Sequence, residues 1–234
     1  MNEYLQLDLS GYDIFSFLAP SDQERLKSLL RPKTFSKNEI IFLKGDDSFG
    51  LYLITSGRVK ICVVDRHGVE LIFTYLSRGD ILGEMAILDG KPRSATAIAD
   101  ESTTVFCLDR RDFLDFLKTS PEASIAIINM LCQRLRRMST QLEEVSFLDV
   151  SGRIARNLMQ ITHSGSMDST NKEKLISCDI SQEELAKIVG ASRVMVNKVL
   201  NSFVDQGLLS LARKKLIILN TNELSRIAAY DGDE

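Results

Sequence analysis

The chain has 234 residues, of which 44% are hydrophobic and 26% are charged, and its formal net charge at pH 7 is −3. These proportions are those of a globular protein, so they exclude a wholly disordered chain and a disulfide-rich scaffold. At about 150 residues per domain, the length indicates one large domain or two modest ones. The slightly acidic total also excludes a uniformly basic nucleic-acid binder, so charge is considered by region.

Targeting and cofactor signals are absent from the sequence pattern. No apolar run approaches the roughly 20 residues that a membrane-spanning helix needs, and Met1–Gln6 lacks the basic and apolar regions of a secretory signal. We therefore expect a cytoplasmic protein with no membrane partner. The 4 cysteines form no C-x-x-C pair, and we expect them to be reduced and buried. Neither of the 2 histidines has a neighbour suited to metal binding or nucleophilic catalysis, so we expect no metal site and no enzyme.

The first 30 residues have a helical pattern. Ser21–Glu24 matches a capping box, in which a serine side chain caps the first turn of a helix. Pro32 is expected to end this helix, because proline has no backbone N–H to donate.

Between residues 33 and 109 the pattern changes to short runs of strand-forming residues. Turn glycines separate these runs at intervals of 11 or 12 residues, which is typical of an antiparallel sandwich or barrel. Because no helical segment interrupts the runs, a parallel α/β fold is not expected. The predicted strands are Glu39–Leu43, Leu51–Ile54, Val59–Val64, Val69–Tyr75, Thr96–Ala99 and Thr103–Leu108.

A long helix is predicted from Pro121 to about Phe147. Its apolar residues recur at alternating spacings of three and four, the pattern of a coiled-coil seam. One narrow seam on so long a helix normally pairs with a second copy, so we expect a homodimer. The alternative is that the seam only packs against the β-rich domain. The seam residues are Ile128, Leu131, Leu135, Met138, Leu142 and Val145.

Residues 181–206 have the pattern of a helix-turn-helix. A first helix is predicted over Gln182–Val189 and a second from Arg193 towards Asp205. Ala186 is small enough for the two helices to approach, and Gly190 suits the positive φ of the turn. Val196 is placed to pack the second helix onto the first.

A basic wing follows the two helices. Leu208–Leu211 and Leu216–Leu219 are predicted strands that flank Arg213, Lys214 and Lys215. Residues 179–220 carry six basic and four acidic side chains, a local charge of +2. Such a region can neutralise DNA phosphates, so we predict DNA binding.

The predicted DNA contacts come from helix starts, from the second helix and from the wing. Arginine can pair with guanine and asparagine with adenine, while helix starts and exposed lysines suit phosphates. The candidates are Ser151, Ser181, Ser192, Arg193, Val194, Asn197, Lys198, Lys214 and Lys215.

One segment inside the β-rich region, Gly83–Thr96, has neither strand periodicity nor a core composition. A glycine lets backbone N–H groups approach an anion, and Arg93 with Ser94 can hold a phosphate by charge-assisted hydrogen bonds. Glu84 can accept a hydrogen bond from a ribose hydroxyl. The alternative for these residues is a salt bridge between Glu84 and Arg93 across a turn.

Three motifs in this order resemble the catabolite activator (Crp–Fnr) family of bacterial transcription regulators, and the resemblance covers about residues 12–220. The G-E-x-A and P-R-S-A-T residues of Gly83–Thr96 are similar to the family's cyclic-nucleotide phosphate-binding cassette. Phe147–Ala155 looks like the family's hinge and following helix, and Ile188–Arg193 looks like its helix-turn-helix.

The resemblance implies an α+β fold. It comprises an N-terminal double-stranded, jelly-roll-like β-roll that binds cyclic nucleotides, a long dimerisation helix, and a C-terminal winged helix-turn-helix. The implied domains are residues 1–120, 121–149 and 150–234. The implied function is a homodimeric regulator with an allosteric ligand, cyclic AMP or a related cyclic nucleotide, with double-stranded DNA and RNA polymerase as partners.

The resemblance also implies the nucleotide contacts. Backbone groups at Gly83 and Met85 and the Glu84 carboxylate would meet the ligand, Arg93 and Ser94 would hold its phosphate, and Thr74 would line the pocket. Contacts to the base would come from the long helix, partly across the dimer. The residues are Thr74, Gly83, Glu84, Met85, Arg93, Ser94, Ser139 and Thr140.

Two positions depart from the family pattern. Met138 stands where members that bind cyclic AMP commonly have threonine, and Val194 stands where the family has a glutamate that reads cytosine. Two alternatives therefore remain open. One is a regulator of the same fold that needs no nucleotide or senses another ligand, and the other is a nucleotide-binding subunit that acts on a protein partner.

Overall fold

The computed structural model describes residues 18–164, 176–178, 180–212 and 215–229. The chain forms two compact units, Met1–Leu135 and Arg136–Glu234, and the boundary between them falls inside one long helix. No helix in these described ranges is long and apolar enough to cross a membrane.

The first unit is mainly antiparallel β-structure. Its helices are α1 (Pro20–Leu29), α2 (Glu84–Asp89), α3 (Arg110–Thr119) and the first part of α4 (Pro121–Phe147). Its strands are β1 (Arg31–Phe35), β2 (Ile40–Phe42), β3 (Gly50–Ser56), β4 (Arg58–Val64), β5 (Glu70–Ser77), β6 (Ile81–Leu82), β7 (Thr96–Ala99) and β8 (Thr103–Asp109).

These strands form two four-stranded antiparallel sheets, with the orders β1-β8-β3-β6 and β2-β7-β4-β5. One buried cluster takes residues from both sheets, among them Phe35, Ile54, Val59 and Val105, so the sheets share a core. A second cluster packs α1, α3 and the start of α4 on this β-structure through residues such as Phe113 and Ile127. The predicted antiparallel β-roll is therefore confirmed. The glycines predicted to mark its turns all have positive φ, namely Gly45, Gly57, Gly68, Gly79 and Gly90.

The N-terminal end of this unit corrects two predictions. Helix α1 begins at Pro20, Ala19 is its N-cap, and no side chain caps it, so Ser21 lies inside the first turn. Proline suits that position, because its missing N–H has no helical partner there. Pro32 does not end the helix but lies in β1, an edge strand, where one side needs no ladder hydrogen bond.

The second unit is a small helical domain with a three-stranded sheet. Its elements after α4 are α5 (Val150–Ser164), β9 (Ile176–Cys178), α6 (Gln182–Val189), α7 (Arg193–Asp205), β10 (Leu209–Ala212), β11 (Lys215–Ile218) and α8 (Thr221–Ala228). The sheet order is β10-β11-β9. One buried cluster joins α5, α6, α7, the sheet and α8. The predicted helix-turn-helix and wing are confirmed, whereas β9 and α8 were not predicted.

The cysteines are less uniform than expected. Cys62 is buried and Cys107 is half-buried, but Cys132 is exposed, because it lies on an outward face of α4. The side chain of Cys178 lies outside the described ones. Within the described residues, no group of three or more His, Cys, Asp or Glu side chains is placed to hold a metal ion.

Candidate functional sites

The segment from Gly83 to Ser94, called the cassette below, connects β6 to β7 through the short helix α2. Gly83 is the N-cap of α2 and has a φ of 84°, which glycine adopts without strain. A Cβ at this position would lie 2.2 Å from Nη1 of Arg93. Gly83 is therefore required both by its backbone angle and by the close approach of the arginine.

Arg93, the last residue but one of the cassette, is only 5% exposed. Its Nη1 donates to the Gly83 carbonyl at 2.7 Å, and its Nη2 donates to the Gly50 carbonyl at 2.5 Å. The guanidinium also lies over the Phe42 ring, 4.2 Å from the ring centroid. These contacts hold the guanidinium of Arg93 in one orientation.

Nε of Arg93 is buried and has no hydrogen-bond partner among the described residues. Burial lowers the pKa of Arg93, and the nearby Tyr52, Glu84 and Asp46 act in the opposite direction. A buried cation with an unused donor suits an anionic ligand, which would satisfy both the charge and the hydrogen bond.

Glu84 is also buried, at 2% exposure, but it does not pair with Arg93. Its Oε1 lies 2.5 Å from Nη1 of Arg134, and Arg134 also donates to the Ile81 carbonyl. The alternative of a Glu84–Arg93 salt bridge is therefore wrong. Arg134 lies on α4, so one ion pair joins the cassette to the long helix.

Two other predicted ligand contacts of the cassette lie at the surface. Met85 and Ser94 are exposed, and Oγ of Ser94 lies 3.8 Å from Sδ of Met85. Thr74 is exposed on β5 and lies two residues before the buried Leu76, so it faces the same side of the sheet. The structure thus brings Gly83, Glu84, Met85, Arg93 and Ser94 together in one segment.

The predicted base contacts, Ser139 and Thr140, lie on α4 beyond the boundary at Leu135, in the second unit. The Thr140 hydroxyl donates to the Arg136 carbonyl at 3.2 Å, one turn earlier in the same helix. Their contact with a ligand stays a prediction.

The predicted seam of α4 is largely exposed. Leu131 is half-buried and packs against the core of the first unit. The others are between 57% and 68% exposed, namely Ile128, Leu135, Met138, Leu142 and Val145. A regular row of exposed apolar side chains fits a surface that a second copy covers. The pairing itself stays a prediction.

The turn between α4 and α5 is tightly held. Oδ1 of Asp149 accepts from the Gly152 N–H at 2.8 Å, so Asp149 caps α5. Ser151 is the second residue of α5, so it lies at a helix start as predicted, although Asp149 and not Ser151 is the cap. Arg153 donates to the carbonyls of Leu148 and Val189 and so ties this turn to α6.

The helix-turn-helix has the predicted local geometry. Ser181 caps α6 by accepting from the Glu184 N–H at 3.1 Å. Gly190 ends α6 with a φ of 64°, the left-handed conformation expected of the turn. Ala186 and Val196 are buried between the helices and their neighbours.

Helix α7 presents an exposed face beside its start. Ser192 caps the helix by accepting from the Met195 N–H at 3.2 Å. The predicted base-reading residues are all exposed, namely Arg193, Val194, Asn197 and Lys198. Oδ1 of Asn197 accepts from Nε2 of Gln182 at 3.4 Å.

The wing is a hairpin of β10 and β11, in which Leu209 pairs with Ile218 and Ala212 with Lys215. Lys215 is the first residue of β11. Lys214 lies outside the described residues, so its predicted phosphate contact stays a prediction.

The sequence analysis missed the residues outside the cassette that hold its two buried charges. Arg134 lies 50 residues from Glu84, and nothing in the helical pattern indicated which basic residue of α4 would turn towards it. Phe42 and Gly50 support Arg93 from the other side. The only sequence signal for Phe42 was its place in a predicted strand.

Family models match both units. Residues 32–120 match the model of the cyclic nucleotide-binding domain, and residues 152–227 match the Crp-like helix-turn-helix domain. The first range contains the cassette and the second contains α6, α7 and the wing.

Full-length relatives match as well. The chain is 33% identical over 220 residues to the CRP-like cAMP-activated global transcriptional regulator of Mycobacterium tuberculosis, covering 94% of this chain and 98% of the relative. It is 29% identical to the cyclic AMP receptor protein of Thermus thermophilus with the same coverage. The crystal structure of the catabolite activator protein of Thermus thermophilus is similar with a TM-score of 0.53, covering 92% of this chain and 97% of that one.

The fold is also that of the c-di-GMP responsive regulator CLP of Xanthomonas campestris. The TM-score is 0.76 at 24% identity, with 87% of this chain and 100% of that chain covered. The relative from Mycobacterium tuberculosis is named as a transcriptional regulator. The chain belongs to the catabolite activator (Crp–Fnr) family, and it is a DNA-binding transcription regulator with a cyclic nucleotide-binding domain.

Proposed function

We propose that this protein is a cytoplasmic homodimeric regulator whose sequence-specific DNA binding is gated by cyclic AMP or a related cyclic nucleotide. The relatives from Mycobacterium tuberculosis and Thermus thermophilus are named for cyclic AMP, which supports this effector. RNA polymerase is the proposed protein partner, and the protein is not an enzyme. The proposed division is a sensor at residues 1–120, a dimerisation helix and hinge at 121–149, and a DNA-binding domain at 150–234.

The observation that carries the proposal is the buried Arg93 guanidinium with one unused donor. A cyclic phosphate at the cassette would accept from Arg93 and from the Ser94 hydroxyl, and the backbone at Gly83 and Met85 would meet it from α2. Two carbonyls and an aromatic ring already hold Arg93 in place. Ligand binding therefore costs little further conformational entropy of this side chain.

Glu84 gives the proposed link between effector and helix. A ribose 2′-hydroxyl that donates to Glu84 would share this carboxylate with Arg134 of α4. Thr74 would line the pocket, and Ser139 with Thr140 would meet the base. Through these contacts the ligand would bind some arrangements of α4 and of the turn at Asp149 more tightly than others. It would thereby shift the population towards conformations that bind DNA.

On DNA, α7 is proposed to enter the major groove. Arg193 and Asn197 are placed to pair with base edges, and Lys198 can reach a base or a phosphate. The remaining contacts are proposed to be phosphate contacts, from Ser151, Ser181, Ser192, Lys214 and Lys215.

A second candidate is a regulator of the same fold that takes another ligand. Met138 favours it, because a thioether beside Ser139 removes one hydroxyl from the proposed base site. Both candidates share the cassette, the dimer and the DNA interface.

Mass spectrometry of small molecules released from the denatured purified protein, followed by calorimetric titration with cyclic AMP, cyclic GMP and cyclic di-GMP, decides between the two. We expect a cyclic mononucleotide to be released or to bind with micromolar or tighter affinity. Binding of cyclic di-GMP alone favours the second candidate, and no binding of any of the three contradicts the proposal.

A further inference from the structure

Helix α7 carries one apolar side chain on an otherwise polar face. Its buried side consists of Val196, Val199, Leu200 and Phe203, which have the spacing of a helix face that packs on a core. The opposite side has the same spacing two residues earlier and is wholly exposed. It consists of Val194, Asn197, Lys198 and Asn201.

Val194 is unusually exposed for a valine. With Phe49 it is the most exposed large hydrophobic side chain in the described part of the chain, at 80%. It is the second residue of α7, directly after Arg193 and two residues after the cap Ser192. Among the described residues, 80% of the Val194 side chain stays uncovered, so its apolar surface is accessible to a partner.

The neighbours of Val194 indicate the chemistry of that partner. Arg193 and Lys198 on the same exposed surface attract a polyanion, and Asn197 beside them presents an exposed amide. In the major groove the one apolar group on a base edge is the C5-methyl of thymine. A valine cannot donate or accept, so it can recognise a base only through such a group.

Met195 is the neighbouring apolar residue, but it faces differently. It lies four residues before the buried Val199, on the side of the helix that turns towards the core, and it is 43% exposed. It therefore differs from Val194 in direction while sharing its apolar character and its helical turn.

We propose that Val194 is a specificity-determining residue that reads the C5-methyl group of one thymine in each half-site. This inference rests on the proposed docking of α7 in the major groove. The contact selects thymine by its methyl group and not by its hydrogen-bonding pattern, so 5-methylcytosine at the same position is favoured over cytosine.

The test begins with selection of bound sites from a random DNA pool by the full-length protein, with and without cyclic AMP. Each thymine of the selected site is then replaced singly by deoxyuridine, which lacks only the methyl group. Dissociation constants come from fluorescence anisotropy at fixed salt. We expect one thymine per half-site at which the loss of the methyl weakens binding about 4-fold, the value of one buried methyl group.

Two variants assign this effect to a side chain. In Val194→Ala the discrimination between thymine and deoxyuridine should fall below about 2-fold, because most of the apolar contact is removed. Met195→Ala, the matched control, should keep the full discrimination. When the same thymine is replaced by cytosine or by 5-methylcytosine, the methylated base should bind about 4-fold more tightly in the unmodified protein and less than about 2-fold more tightly in Val194→Ala.

The outcomes separate the inference from the function on which it rests. A selected site in which no thymine is sensitive to its methyl group, or whose sensitivity survives in Val194→Ala, overturns the role of Val194 while specific DNA binding stands. If Met195→Ala alone removes the sensitivity, the reading residue is Met195 and the assignment to Val194 is wrong. A pool in which no sequence is enriched contradicts the proposed DNA docking and the inference together.

Discussion

The cassette and helix α7 each present an arginine to a proposed anionic partner, but one arginine is buried and the other is exposed. Arg93 is buried, and two carbonyls and an aromatic ring hold it before any ligand arrives. Arg193 is exposed at the start of its helix. The difference follows from the partners, because a small ligand has few atoms with which to order a site, whereas DNA contributes a large charged surface.

The difference also has a consequence for stability. The two buried charges of the cassette each depend on their own partners, because Arg93 donates to two backbone carbonyls and Glu84 pairs with Arg134. Changes there are therefore expected to affect folding as well as binding. Changes on the exposed face of α7 should affect DNA binding alone. Single substitutions can therefore test whether the two regions differ as the structure indicates.

Arg93→Ala is expected to have the largest effect. It removes the cation and its Nε donor from the cassette, and the loss of this buried, hydrogen-bonded charge pair should weaken cyclic nucleotide binding about 1000-fold. Calorimetric titration measures it, with circular dichroism to check the fold. Arg93→Lys keeps the charge but not the planar fork, so it should restore only part of the affinity. Unchanged affinity in Arg93→Ala would mean that the ligand binds elsewhere.

Met138→Lys tests the seam of α4. A lysine at this position would lie beside its own symmetry mate, and the dimer dissociation constant should rise by about 100-fold or more, because the buried charge lacks a partner. Gln133→Lys places the same charge on the outer side of the helix and should leave the dimer intact. Sedimentation analysis compares the two, and an equally stable Met138→Lys dimer would remove the seam as the interface.

Arg134→Gln tests the ion pair that joins the cassette to α4. It leaves the buried Glu84 carboxylate without its cation, and we expect a loss of about 2–3 kcal/mol in unfolding free energy, less than for a fully buried pair because Arg134 is partly exposed. Adding Glu84→Gln should recover part of the loss. Urea denaturation measures both. Additive losses in the double variant would show that the two groups do not interact.

Arg193→Ala should change the base preference of DNA binding, whereas variants of the wing lysines should change only its overall strength. Arg193→Ala is expected to cost about 1–3 kcal/mol in specific binding and to relax one position of each half-site. Lys214→Ala or Lys215→Ala should weaken all sequences to a similar, smaller extent and lower the salt slope by about one per subunit. Selection of bound sites at fixed salt compares them. An unchanged base preference in Arg193→Ala would make it a phosphate contact.

The periodic parts of this fold were predictable from the sequence, and the contacts across it were not. Alternating strands, turn glycines and the heptad spacing of α4 are local patterns, so six strands and the long helix were found near their observed bounds. Strand β6 has two residues and α2 has six, too few for a period to show. Pro32 was wrongly predicted to end a helix. A proline can lie in β1 because β1 is an edge strand, and that position depends on the whole sheet.

The two sites differ in the same way. The helix-turn-helix was predictable down to its N-cap serines, because its residues lie within one short stretch. In the cassette, Gly83, Glu84, Arg93 and Ser94 were indicated by their spacing, but the partner of Glu84 was not. Arg134 reaches it from a helix 50 residues away, and only the folded chain shows which arginine of α4 turns inward.

The central proposal is that a cyclic nucleotide at the cassette controls DNA binding, and one measurement tests it directly. The dissociation constant for the selected DNA site is determined with and without saturating cyclic AMP, in the unmodified protein and in Arg93→Ala. We expect the nucleotide to tighten binding at least about 10-fold, within the usual range of allosteric coupling, and we expect Arg93→Ala to bind DNA equally with and without it. Equal DNA affinity of the unmodified protein with and without saturating nucleotide would contradict the proposal.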